Sequence, residues 1–297
     1  MIIRFFKFTK LPQMVAAIVV SLIIMLAIKN QNISVNDFYL LLILALVFLL
    51  SLFIISKNSI LKNNQFTTLG LILFSAAYFK MPSQINIAIS YLFLLFSVRK
   101  IYSLKSQKDA SKKLIDIGFW LAFSLFFHPI NILFLFTIIS GLFLFYKITI
   151  DVIFKVLVGF ITAVLMIVFT AHLIKNLEFD FNLLMLQLEL LIISFDTNFL
   201  NINNDFFRWI PAVITAFLVA NHTFNYFGNN LTERIRNTFL LIFSFNSLLF
   251  AFIINEYSIF LFFPFLVTLI KTISELKINL LTETLIIAVI IISCYPF

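Results

Sequence analysis

An all-α bundle of membrane-spanning helices is the fold class this sequence predicts, on three observations. The composition is 62% hydrophobic and only 11% charged, with a mean hydropathy of +1.11. Soluble domains average about 45–50% apolar and about 25% charged residues, so this much apolar surface calls for lipid as the solvent. The apolar residues also fall into runs near the length of a span, about 17–25 residues. Finally, the basic residues crowd into alternate loops between those runs.

The elements follow in order. The chain opens with "MIIRFFKFTK", a basic stretch, and then the apolar run Leu11–Ile28. No small-residue cleavage motif is well placed after that run, so it reads as a retained first helix that also targets the chain. Phe38–Ser56 comes next, then the short runs Phe66–Met81 and Ile85–Val98. Leu114–Phe127 carries Asp116 near its start, Pro129 opens Ile130–Tyr146, and Val152–Ile174 carries Lys155 near its start. The later runs are Phe207–Phe227, Phe239–Asn255, Ser258–Ile270 and Leu280–Tyr295. That makes about eleven spans in one membrane domain over residues 1–297, several shorter than ~17 residues and needing flanking residues or local thinning.

One apolar stretch is read differently. Leu183–Phe195 has 13 residues. As a helix it reaches about 20 Å, against about 30 Å of hydrocarbon. Charge agrees that it does not cross. With the N-terminus in the cytoplasm, all but Lys29, Lys80, Lys175 and Arg208 of the 21 basic residues lie inside. If residues 183–195 crossed, the split would fall to fourteen inside against seven outside. The positive-inside bias therefore favours a non-crossing external helix, re-entrant or amphipathic, and an external C-terminus.

Residue counts exclude several chemistries. The single Cys294 rules out an intramolecular disulfide or a paired-cysteine metal site, and three histidines make a multi-histidine centre hard to build. The net charge of +8 is explained by membrane orientation, so no nucleic-acid partner is expected. Membrane lipids are the expected partners, with membrane or periplasmic proteins as further candidates. The most polar inside loop, "RKIYSLKSQKDASKK", suits anionic headgroups or, alternatively, a docking partner.

Candidate chemistry concentrates between Lys175 and Arg208. Asn182, Glu189 and Asp196 are spaced by heptads, and Glu178 precedes Asn182 by one helical turn. Each heptad drifts only about 20° on a helix, so these residues share a stripe. That stripe faces either bulk water, as on a surface helix, or a hydrated cavity. Glu178 and Asp180 in "EFD" are of the type that binds a divalent cation or acts as a general base, although no cofactor is specified. Arg208 beside Trp209 suits a phosphate held bidentately, or a plain interfacial anchor. His128, at the rim of the turn "FFHPIN", and His172 are expected to approach this segment from the same side, as proton shuttles or hydrogen-bonded interfacial groups. His222, Asn221, Asn225, Asn246, Asp116, Lys155 and Glu283 complete the polar set. Helix–helix bonding, pairing or snorkelling accounts for them, and a carrier would use such groups too.

Through "SYLFLLFSVRKIYSLKSQKDASKKLIDIGFWLAFSLFFHPINILFLF" the chain resembles an uncharacterised family of polytopic inner-membrane proteins of Bacteroidota. Arg99, Lys100, Ser103, Lys105, Lys108, Asp116, Trp120 and His128 carry that resemblance. It implies a fold and an inner-membrane location, and no activity. More loosely, the arrangement is similar to membrane glycosyltransferases and O-antigen polymerases, which implies a polyprenyl-linked substrate at the external face. The acidic residues those transferases carry in the first external loop reduce here to Asp37 in "NISVND".

Three functions are thus expected to compete. One is an envelope enzyme acting on lipid-linked sugars or other lipids. The second is a carrier or flippase with a central cavity. The third is a non-catalytic subunit of an envelope assembly.

Overall fold

A computed structural model describes residues 10–29, 33–58, 60, 66–79, 84–173, 206–224, 231–253 and 258–275. Among them the chain is all-helical, as the composition predicts. Ten α-helices follow in order: α1 Leu11–Lys29, α2 Val35–Lys57, α3 Thr67–Tyr78, α4 Ile85–Ser103, α5 Ala110–Phe127, α6 Leu135–Phe145, α7 Ile150–Leu173, α8 Phe206–Phe224, α9 Leu231–Ile253 and α10 Phe262–Glu275. Short 3₁₀ segments precede α6 and α10, at Pro129–Phe134 and Ser258–Leu261.

Four helices are long and apolar enough to cross a membrane: Leu11–Lys29, Val35–Lys57, Ile85–Ser106 and Ile150–Thr170. The described residues do not supply eleven spans, and the reasons are local. Helix α3 has 12 residues. At that length it reaches about 18 Å, short of a ~30 Å core. Pro129 lacks a backbone N–H and opens a tight 3₁₀ segment, which leaves α6 with 11 residues. Helix α5 spends its first two turns on Lys112, Lys113 and Asp116, and α9 starts with Glu233, Arg234 and Arg236. Leu183–Phe195 and Leu280–Tyr295 lie outside the described residues.

The chain divides into two compact units. The first contains α1, α2, α3, α8, α10 and both ends of α9. Here α1 packs on α2 and α3, and α10 packs on α3 and α8. Gly70 lets α10 approach α3, because a Cβ there would stand 2.6 Å from Leu266 Cδ1. Aromatic rings fill the same contact: Phe74 meets Phe262 edge-on at 4.9 Å and Phe265 at 5.7 Å. The buried hydroxyls of Ser51, Ser75 and Thr268 donate to carbonyls three or four residues earlier on their own helices. They are satisfied without water, which an apolar solvent demands.

The second unit contains α4–α7 and the middle of α9, Ile235–Asn246. Its tightest contact is α5 on α7. Gly118 lies against the backbone of Val156, and Gly159 against the backbone of Ile115. A Cβ at either position would overlap a carbonyl oxygen of the opposite helix. Small residues allow this approach, and close packing is the main force joining helices in lipid. Elsewhere Phe239 of α9 meets Tyr102 edge-on at 4.9 Å and Phe145 at 5.6 Å. Gly141 of α6 makes room for Phe239 and Ile101.

Candidate functional site

Buried polar groups within the second unit gather where α5 ends. Asn131 is 0% exposed, and its Nδ2 donates to Ser124 Oγ at 2.7 Å. Ser124 Oγ in turn donates to the Ser90 carbonyl of α4 at 2.9 Å. The backbone N–H of His128 donates to the Ser124 carbonyl, and the Asn131 N–H to the His128 carbonyl. Pro129 is why this turn exists: it cannot donate to continue α5, and its fixed φ suits the first position of the next segment. One turn along, Asn246 of α9 donates to the Leu133 carbonyl at 3.0 Å and to Thr137 Oγ1 at 2.8 Å. One group of uncharged side chains thus ties the 3₁₀ segment to α4 and α5, and a second ties it, with α6, to α9.

His128 was expected at the rim of the turn. It is instead buried, with 8% exposure. Burial pushes its imidazole down to about 4, so the ring is neutral at physiological pH. His172, near the end of α7, is exposed. The only part of Arg208 and Trp209 described is their backbone, in the first turn of α8. Glu178, Asp180, Asn182, Glu189 and Asp196 all lie outside the described residues. Among the described residues no three His, Cys, Asp or Glu side chains come together as a metal site.

Three acids within and beside the helices are used by the fold. Asp37 accepts from Ser34 N at 2.9 Å and Ser34 Oγ at 2.8 Å, and it pairs with Lys29 at 3.2 Å. The one acid of the first loop therefore caps α2. Asp116 pairs with Lys100 of α4, and Lys155 with Asp151 one turn earlier at 2.5 Å. Asn246, expected to line a carrier's cavity, is committed to Leu133 and Thr137. Sequence reading missed Ser90, Ser124, Asn131 and Thr137. Their signal was slight: small polar residues that recur in apolar helices and find one another across an interface.

A family model, described as a family of unknown function (DUF6427), matches residues 6–297. The chain belongs to that family. No curated protein matches it, and no solved structure does. The expected membership of an uncharacterised family is met by DUF6427, which assigns neither reaction nor substrate. The chemistry of this DUF6427 member has to be argued from its own residues.

Proposed function

We propose that this protein is a multi-pass protein of a bacterial inner membrane that handles a lipid-linked sugar or another envelope lipid at the external face. Its N-terminus is cytoplasmic, its C-terminus external, and residues 1–297 act as one membrane domain. The observation that carries the reading is how the acids are spent. Asp37, Asp116 and Asp151 are each ion-paired with a lysine. Glu178, Asp180, Glu189, Asp196 and Asp205, in contrast, crowd into one stretch on the side the basic residues mark as external. In this reading Glu178, Asp180 or Glu189 serves as general base or divalent-cation ligand. Arg208 beside Trp209 grips phosphate, with Asn182 and Asp196 bordering the substrate. His172 moves protons, and the buried His128 positions its neighbours.

Alanine at Glu178, Asp180, Glu189 and Arg208, tested singly, is expected to cut modification of envelope glycans or lipids at least tenfold at unchanged expression. Mass spectrometry of extracted lipid-linked sugars measures it. Four normally expressed variants with a wild-type lipid profile would remove the enzyme reading. Topology is tested by labelling from outside in a Cys294→Ser background. Asn203→Cys is expected to react, and Lys105→Cys and Ser274→Cys are not. Labelling at position 274 would mean that residues 183–195 cross.

A second reading has its own support. Phe154, Leu157, Ile161, Leu165 and Phe169 of α7 are all exposed. That face suits a neighbouring membrane protein as well as lipid, as a non-catalytic subunit would require. Stable co-purification of a partner that is lost on Phe154→Ser or Leu165→Ser would favour it. The carrier reading has less support, because Asn246 and Lys155 are already engaged by partners.

A further inference from the structure

The second unit carries an aromatic strip that runs into a cluster of lysines. On α4, Phe93, Phe96 and Lys100 follow at steps of three and four. On α5, Lys112, Asp116, Trp120, Phe123 and Phe127 follow at steps of three or four. Residues at such steps lie on one face of a helix. The two faces meet: Phe93 stacks on Trp120 at 5.7 Å and on Phe127 at 5.6 Å, and Phe96 stacks on Trp120 at 4.9 Å. All five rings are half-buried, so a continuous aromatic surface stays open. From Asp116 to Phe127 the strip rises about 16 Å, roughly one leaflet of a ~30 Å core.

Its charged end is built. The hairpin joining α4 to α5 turns through Gln107 and Asp109, both left-handed at φ 49° and 53°. Lys113 Nζ secures it by donating to the Ser103 carbonyl at 2.7 Å and to Ser106 Oγ at 2.6 Å. Lys100 is held by Asp116. Lys105, Lys108 and Lys112 remain exposed on this fixed turn. Their exposure leaves their charge open to solvent or headgroups.

We propose that this face binds one anionic glycerophospholipid of the inner leaflet. Its acyl chain lies along Phe93, Phe96, Trp120, Phe123 and Phe127, and its phosphate meets Lys105, Lys108 and Lys112. The aromatic strip and the lysines are continuous on the same two helices, and an anionic lipid has the same order of parts. An ammonium is a compact donor to phosphate, and several near a negative leaflet add their attraction. Lys113 is a positioning residue here. The proposal rests on the membrane placement given above.

Trp120 and Trp209 are the two tryptophans, so Trp209→Phe leaves Trp120 as the only tryptophan, which is excited selectively at the red edge where tyrosine does not absorb. The full-length Trp209→Phe protein is reconstituted into vesicles of phosphatidylcholine with brominated phosphatidylglycerol, or with brominated phosphatidylcholine in its place. Brominated phosphatidylglycerol is expected to quench Trp120 with about threefold or greater preference. Adding Lys105→Gln, Lys108→Gln and Lys112→Gln together should bring that preference to one, with the protein still folded, since these side chains are exposed. Excess inorganic phosphate should change neither result. Equal quenching by both lipids, an unchanged preference in the triple variant, or displacement by phosphate would overturn the lipid site. Absence of quenching by either lipid would remove the membrane placement itself.

Discussion

Gly118→Ala and Gly159→Ala are each expected to leave little folded protein, at a cost above about 3 kcal/mol. Alanine normally favours a helix over glycine by about 1 kcal/mol, so propensity alone predicts the opposite sign. Space decides against propensity here. At both positions a methyl would overlap the backbone of the other helix, the Val156 carbonyl in one case and the Ile115 carbonyl in the other. A backbone carbonyl has no rotamer to adopt, so α5 and α7 must move apart along their length. Most of α7 is otherwise exposed, so few other contacts hold it in place. Gly70→Ala is the internal control. Its nearest neighbour is the end of the Leu266 side chain at 2.6 Å, which can rotate away, so a loss of about 1 kcal/mol or less is expected. Melting temperature in detergent, read by fluorescence-detected size exclusion, separates the cases. The Gly118→Ala, Gly159→Ala double variant should be little worse than either single change, because both relieve the same crossing. A Gly118→Ala protein that melts with the wild type would refute the crossing.

Part of this architecture was legible in the sequence. The apolar runs located α1, α2 and α7 to within three residues, because a membrane fixes the length of a helix; α4 was placed at its start but runs five residues past Val98. Asp116 and Lys155 were expected to snorkel or to pair with one another; each instead pairs with a residue the sequence reading did not name, Lys100 and Asp151. The contact faces were not legible, and α2 shows why. It buries Leu44, Val47 and Phe48 while exposing Leu42, Leu46, Leu49 and Phe53. In water the buried face of a helix announces itself as an apolar stripe. In lipid both faces are apolar, and the stripe vanishes. Gly118 and Gly159 are distant in sequence, and neither names the other as partner. The 3₁₀ segment after Pro129 was hidden for a related reason. Ile, Leu and Phe continue through it, so composition reads helix where the backbone tightens. The expected rim position of His128 failed there: the residue is buried, next to the Ser124–Ser90 and Asn131–Ser124 bonds that draw the turn against α4. The acidic stretch 178–196 stays an expectation from sequence.

His128 makes the second prediction with a large effect, on stability against pH. In the folded protein the imidazole takes its proton near pH 4, and unfolded it does so near 6.5. Between those values the unfolded chain holds a proton that the folded chain does not. Unfolding therefore takes up a proton in that window, and acid favours it. The stability associated with neutral, buried His128 is fully present above about pH 6.5 and is lost as pH falls toward 4. The full difference is about 3 kcal/mol, the free-energy equivalent of lowering the proton affinity from 6.5 to about 4. Carboxylates titrate in the lower part of this range as well, so the wild-type curve alone does not isolate His128. His128→Gln keeps a polar side chain of similar reach with no proton to gain. The difference in melting temperature between wild type and His128→Gln, followed from pH 8 to pH 4, should be flat down to about 6.5 and then shift against the wild type. Parallel curves would mean that the buried imidazole does not titrate in this way. The same window bears on function. A histidine kept neutral to about pH 4 is a poor proton relay at neutral pH and a good fixed partner for the turn that holds Asn131 and Ser124, so within the proposed function proton movement belongs to the exposed His172.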